Sequence, residues 1–332
     1  MTRKKNNIIV LLIRLAALCV VVGEQLLMAG EIKPSVELEF NAFYDKNYPQ
    51  SFSFQMREAI LFLDANISEH SSGLIEYVLR DDLKRGELER LYFVHRELPL
   101  NSQLTLGQFR NPFGYYNAFT VTKPLTKSTP LSPGGNMPEF KLRSLDVGLL
   151  WESQTEEFSW SFAVVNGSGS NALRDDNNFK DFIGHAAVVV DRFQIGANGY
   201  YGRKNSLYAD GTLNEHSAIE VTALGIEAMI NLDDVVIAGE AIAQGYGELH
   251  SAGAYIMMNY NLSGITRTLR SVSKLEVFDP NRSLGEDEQV QLVQGLSYTI
   301  DRGYTLKLEY VMNIERQARR YNSMFIELEY EL

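Results

Sequence analysis

The sequence has almost no cysteine: the single one, Cys19, lies among the first thirty of 332 residues. An exported chain without cysteine has no disulfides to hold it, so its stability must come from hydrogen bonding and packing. Proline is also scarce, and five of the nine prolines (Pro112, Pro124, Pro130, Pro133 and Pro138) fall between residues 111 and 142. Past residue 30 no apolar run approaches the roughly 20 residues that a transmembrane helix needs. Basic charge is in deficit, with 31 Lys and Arg against 42 Asp and Glu, or −11 overall. That balance speaks against nucleic acid as a partner.

Signatures of catalysis are missing as well. The histidines (His70, His95, His185, His216 and His250) form no pair at zinc-ligand spacing. There is no GxSxG and no phosphate-binding glycine-rich loop. NGSGSN at 166–171 follows a strand-like run and reads as a turn. RDDNN at 174–178 and DPNRSLGEDE at 279–288 offer oxygen ligands but do not match the calcium loop. No enzyme activity, metal or cofactor is expected.

The N-terminus carries Arg3, Lys4 and Lys5, then the apolar stretch IIVLLIRLAALCVVVG, then LLMAG. This is the pattern of a cleaved signal peptide over residues 1–30, with processing near Gly30. Arg14 within a short apolar run disfavours a membrane anchor, and Leu18 before Cys19 is too bulky for a lipoprotein site. Loss of Arg3, Lys4, Lys5, Arg14 and Glu24 would leave 27 basic and 41 acidic side chains, or −14.

What fills the rest is alternation. Segments of about ten residues with a period of two are separated by turns rich in Asp, Asn, Gly and Ser, which is the signature of a membrane β-barrel. In NSMFIELEYEL, Met324, Ile326, Leu328, Tyr330 and Leu332 make one face; Ser323, Phe325, Glu327, Glu329 and Glu331 make the other. YTLKLEYVM and FSWSFAV repeat the pattern, and a soluble sheet could also show it. Sixteen strands are expected, at 34–45, 51–65, 72–80, 87–97, 103–110, 143–153, 157–166, 181–191, 192–203, 217–230, 234–245, 250–262, 270–279, 288–300, 303–313 and 322–332. Their connections alternate: the three longest, near 111–142, 167–180 and 204–216, are odd-numbered, while the even ones are mostly short. Long external loops and short periplasmic turns follow that rule. The expected fold is therefore an all-β, transmembrane antiparallel barrel over 31–332. Its third external loop, rich in proline and aromatics, is expected to fold into the lumen.

LTLGQFRNPFG at 104–114 resembles the strand-to-loop passage of the phosphate-selective porin O/P family, through Gly107, Phe109, Arg110, Pro112, Phe113 and Gly114. LERLYFVHREL at 88–98, FSWSFAVVNGSG at 158–169 and DFIGHAAVVVDRFQIGANGYYG at 181–202 are similar to the family's flanking strands and hairpin. The resemblance implies a sixteen-stranded homotrimeric porin of the bacterial outer membrane with an internal third loop. It does not carry phosphate selection with it, because that selection depends on many lumen lysines and arginines and this chain is acidic. Arg110, Lys123, Lys127, Lys141 and Arg143 form the candidate basic constriction, or else solvated loop charge. Glu309, Glu327 and Glu329 are expected to face the lumen and attract cations. The leading reading is passive diffusion of small hydrophilic solutes or inorganic ions, in contact with outer-membrane lipids. The alternatives are an outer-membrane enzyme barrel such as a lipase or protease, for which no catalytic constellation is present in the sequence, a structural or adhesive barrel whose loops bind partners, and a soluble periplasmic β-sandwich.

Overall fold

The computed structural model describes residues 31–45, 53–80, 85–115, 145–167, 179–207, 213–262, 264–266, 268–285, 287–301, 303–315 and 322–331. The expected signal peptide at residues 1–30 lies outside the described residues.

Sixteen strands run among the described residues: β1 (Glu31–Asp45), β2 (Ser53–Ser68), β3 (Ser71–Arg80), β4 (Arg85–Leu98), β5 (Ser102–Arg110), β6 (Leu145–Gln154), β7 (Phe158–Val165), β8 (Asp181–Val190), β9 (Phe193–Leu207), β10 (Leu213–Leu232), β11 (Val235–Tyr246), β12 (Leu249–Asn261), β13 (Leu269–Asp279), β14 (Gln289–Asp301), β15 (Tyr304–Glu315) and β16 (Asn322–Glu331). Each pairs antiparallel with its neighbours in sequence, and β1 pairs β16 to close the barrel. Closure leaves no strand edge, so the backbone groups of the wall are satisfied within the sheet, as a lipid environment requires. All sixteen expected strands are present. β10 begins four residues earlier than the alternation suggests, because Leu213 and Asn214 pair with Leu207 and Ser206 across a bulge at Asn214/Ala218.

Tight turns follow the chemistry of their residues. Asp191 and Asp233 adopt left-handed backbone angles (φ 55° and 58°) in the two-residue loops that join Val190 to Phe193 and Leu232 to Val235. Aspartate tolerates that conformation better than most side chains.

The two faces of the wall differ in kind. Outward positions carry exposed apolar side chains: Leu224 is 72% exposed, Ile226 67% and Ile195 65%, and the belt continues through Leu91, Phe162, Ile256, Leu306 and Leu328. A water-soluble surface avoids such a continuous apolar belt, whereas a lipid-facing one is built from it. At the short-turn end, aromatic rings ring the belt. Trp151 and Trp160 meet edge to face at 4.9 Å, and Tyr304 and Tyr330 lie 4.5 Å apart. Inward positions carry the polar residues, including Glu309, Glu327 and Glu329, as the alternation in the last strands requires.

Packing inside the barrel is asymmetric. Phe109, Leu150, Ala163, Val165, Ile183, Tyr200, Val221, Ala223 and Ile242 point inward from β5 to β11 and bury one another around Phe113, which is fully buried. Phe113 is therefore inside the barrel, and it packs edge-on against Tyr200 with ring centroids 6.5 Å apart. The opposite side of the lumen is open and polar.

Candidate functional site

The open side is a cavity of about 970 Å³, lined chiefly from β1 to β7. Its walls carry eight carboxylates (Glu37, Glu39, Glu58, Asp64, Glu76, Glu89, Glu97 and Glu152) and four arginines (Arg80, Arg90, Arg96 and Arg110). On the arc from β10 to β16, Glu227, Glu240, Glu276, Glu309, Glu327 and Glu329 are buried together with Lys274 and Lys307. Among the described residues the interior thus holds a surplus of negative charge on every side.

A bulge concentrates charge on one stretch of wall. Pairing of Tyr77 with Leu88 and of Glu76 with Arg90 leaves Glu89 as an extra residue in β4. Two neighbours in sequence, Glu89 and Arg90, consequently both reach the cavity. The Gln108 side-chain amide donates to the Leu88 and Glu89 carbonyls at 2.8 and 2.7 Å and so holds the bulge in place. Arg80 gathers three carboxylates around its guanidinium: Glu58 at 3.2 Å, Glu87 at 2.8 Å, and Glu89. Arg90 pairs with Glu76. These pairs neutralise part of the wall and leave the remaining acids to set its sign. Across the lumen, Lys307 bridges Glu327 (3.6 Å) and Glu329, and Lys274 meets Glu276 at 2.6 Å.

The segment that resembles the family passage has a physical role at each of several positions. Gly107 has φ 129°, and a side chain there would overlap the Leu91 carbonyl oxygen and lie 2.8 Å from the Tyr92 Cα. Gln108 holds the bulge, and Phe109 and Phe113 join the buried cluster. Gly114, with φ 82°, sits against the Glu240 carboxylate where a Cβ would not fit.

Of the five basic residues expected at a constriction, Arg110 is exposed at the end of β5 and lines the cavity. Lys123, Lys127, Lys141 and Arg143 lie outside the described residues. The third loop is described only from Asn111 to Tyr115, and this root turns into the barrel, as Phe113 and Gly114 show. Sequence reasoning missed Arg80, Arg90 and Arg96. The inward parity of β3 would have pointed to Arg80. The bulge conceals Arg90 from any strict alternation. His185 is buried 2.9 Å from Glu227.

No protein-family model matches the chain. No curated protein matches it either. Solved structures match over nearly its whole length. OmpT, an outer-membrane protein of Vibrio cholerae, superposes with a TM-score of 0.67 at 9% identity, covering 92% of this chain and all of the other. OmpF of Salmonella typhi gives a TM-score of 0.70 at 11% identity, over 92% and 98%. The anion-selective porin from Comamonas acidovorans gives 0.66 at 8%, over 91% and 99%. At these identities the likeness is one of fold. The chain has the antiparallel closed-barrel fold of bacterial outer-membrane porins.

Proposed function

We propose that this protein is a passive porin of the bacterial outer membrane that admits small hydrophilic solutes and prefers cations. The observation that carries the reading is the polar cavity of about 970 Å³ with twice as many carboxylates as arginines, enclosed by a wall whose outer face is apolar. Such a wall belongs in lipid, and a polar interior in a lipid-embedded barrel offers solutes a path that the bilayer denies them. Passage involves no chemical step. Since an anion-selective porin shares the fold, preference is decided by lumen charge and not by topology. The passage at 104–114 supports kinship with the phosphate-selective porin O/P family, while the acidic surplus argues against phosphate as cargo. Residues 1–30 act in this reading as the export signal. Trimeric assembly belongs to it too, by analogy with OmpT, whose structure is described in a trimer form; cross-linking in mild detergent should trap three copies, and a monomer alone would remove that element.

Planar-bilayer recording of the refolded chain tests the proposal. It should insert as discrete conductance steps that scale with salt, and sugar-loaded vesicles carrying it should swell. A correctly folded barrel that gives neither would favour the adhesive alternative.

A further inference from the structure

A chain of polar contacts joins the root of the third loop to a buried pair on β8 and β10. The Gly114 N–H donates to Asn198 Oδ1 at 2.9 Å. Asn198 Nδ2 donates in turn to Glu227 Oε2 at 3.1 Å. His185 Nε2 lies 2.9 Å from the other carboxylate oxygen, Oε1. The three side chains stand side by side on β8, β9 and β10, since His185 pairs Asn198 and Glu227 lies two residues along β10 from Gly225, the partner of Asn198. All are buried: His185 and Glu227 show 4% and 1% side-chain exposure.

The contacts fix the direction of each group. A carboxylate only accepts, so Glu227 takes the Asn198 amide N–H and thereby turns the Asn198 oxygen toward the loop. The Gly114 N–H needs that oxygen, because a buried donor left unsatisfied is costly. On its other side Gly114 abuts the Glu240 carboxylate. Phe113 sits one residue earlier in the apolar cluster, and the Tyr115 hydroxyl reaches Met229 at 3.1 Å. The loop root is therefore held by one apolar and one polar anchor, and the polar one depends on the charge of Glu227.

Resting on the porin reading, we propose that His185, Glu227 and Asn198 are positioning residues for conduction: they seat residues 111–115 inside the lumen. A glutamine at position 227 could donate where the carboxylate only accepts, so in Glu227→Gln the Asn198 side chain would no longer be constrained to present its oxygen to Gly114. Other polar and charged groups face this chain. Glu240 on β11 stands opposite Glu227 in register, and Tyr115 approaches from the loop. Glu152 on β6 lies beyond Ser161 of β7, which itself pairs His185. Further along the wall, Asp181 on β8 accepts from Tyr200 of β9.

Two readouts test this on the refolded full chain. In single-channel recordings at pH 7.5, Glu227→Gln and Asn198→Ala should raise open-channel current noise several-fold over wild type. His185→Gln keeps a donor and should stay near wild type, while His185→Leu should resemble Glu227→Gln. Wild-type noise levels in Glu227→Gln and Asn198→Ala overturn the proposal. The second readout needs no conduction: Tyr115→Cys in a Cys19→Ser background, labelled with a soluble maleimide at pH 7.5. Adding Asn198→Ala or Glu227→Gln should speed labelling several-fold, and unchanged labelling overturns the proposal. If labelling responds but no variant forms channels, the porin reading fails while the seating of the loop root stands.

Discussion

Replacing Arg80 with glutamine should make the pore more cation-preferring. Arg80 is one of four arginines on the cavity wall, and it offsets Glu58, Glu87 and Glu89. The substitution removes one positive charge and keeps hydrogen-bond donors for the three acids. A sphere of 970 Å³ has a radius of about 6 Å, which sets the distance from the wall to a passing ion. At about 6 Å in water a unit charge contributes roughly 0.7 kcal/mol, and screening at 0.1 M reduces this to about 0.4 kcal/mol. The charge acts with opposite sign on cations and anions. The cation-to-anion permeability ratio should thus rise roughly three- to fourfold at 0.1 M and only about 1.4-fold at 1 M, where the Debye length is about 3 Å. Arg80→Lys should leave the ratio nearly unchanged. Zero-current potentials in salt gradients at both ionic strengths give the answer. An unchanged ratio, a shift toward anions, or a shift of equal size at 1 M would refute the argument that wall charge sets preference.

Other expectations follow from packing and processing. Phe113→Ala should empty the centre of the buried cluster and cost about 3 kcal/mol or more, the usual toll of truncating a buried phenylalanine; a denaturation midpoint unchanged in detergent would contradict the seat assigned to it. Gly107→Ala places a side chain against the β4 backbone at φ 129°, and strain of about 1–3 kcal/mol plus the overlap should lower the yield of folded barrel, read as heat-modifiable mobility on gels. Mass spectrometry of protein extracted from outer membranes should find a mature chain beginning near Glu31; a retained leader would refute the assigned signal peptide.

The fold was legible because a barrel wall obeys a simple rule. Each residue faces lipid or lumen, so Leu306, Leu308 and Tyr310 alternate with Thr305, Lys307 and Glu309 without exception, and β15 can be read by eye. The root of the third loop was partly legible, since Phe113 in a proline-rich stretch needs something apolar to bury it. Two features were not. The bulge in β4 breaks the alternation that makes strands readable, and with it vanished the inward placement of Arg90. The contacts of Gly114 with Asn198, and of Glu227 with His185, span 84 and 42 residues, so no local pattern announces them. They exist only because closing the wall and turning the loop inward bring β8, β9 and β10 to the same spot. The basic constriction expected from the loop drew attention to lysines, while the charges now visible on the wall are mostly carboxylates held by strand parity.

The reversal potential of the refolded protein in a tenfold potassium chloride gradient tests most directly whether its acidic wall makes the pore prefer cations. A potential of the sign given by cation preference is expected, shrinking as both solutions are made more concentrated. A potential of the opposite sign would contradict it, and would place Arg110, Lys123, Lys127, Lys141 and Arg143 in control of the pore.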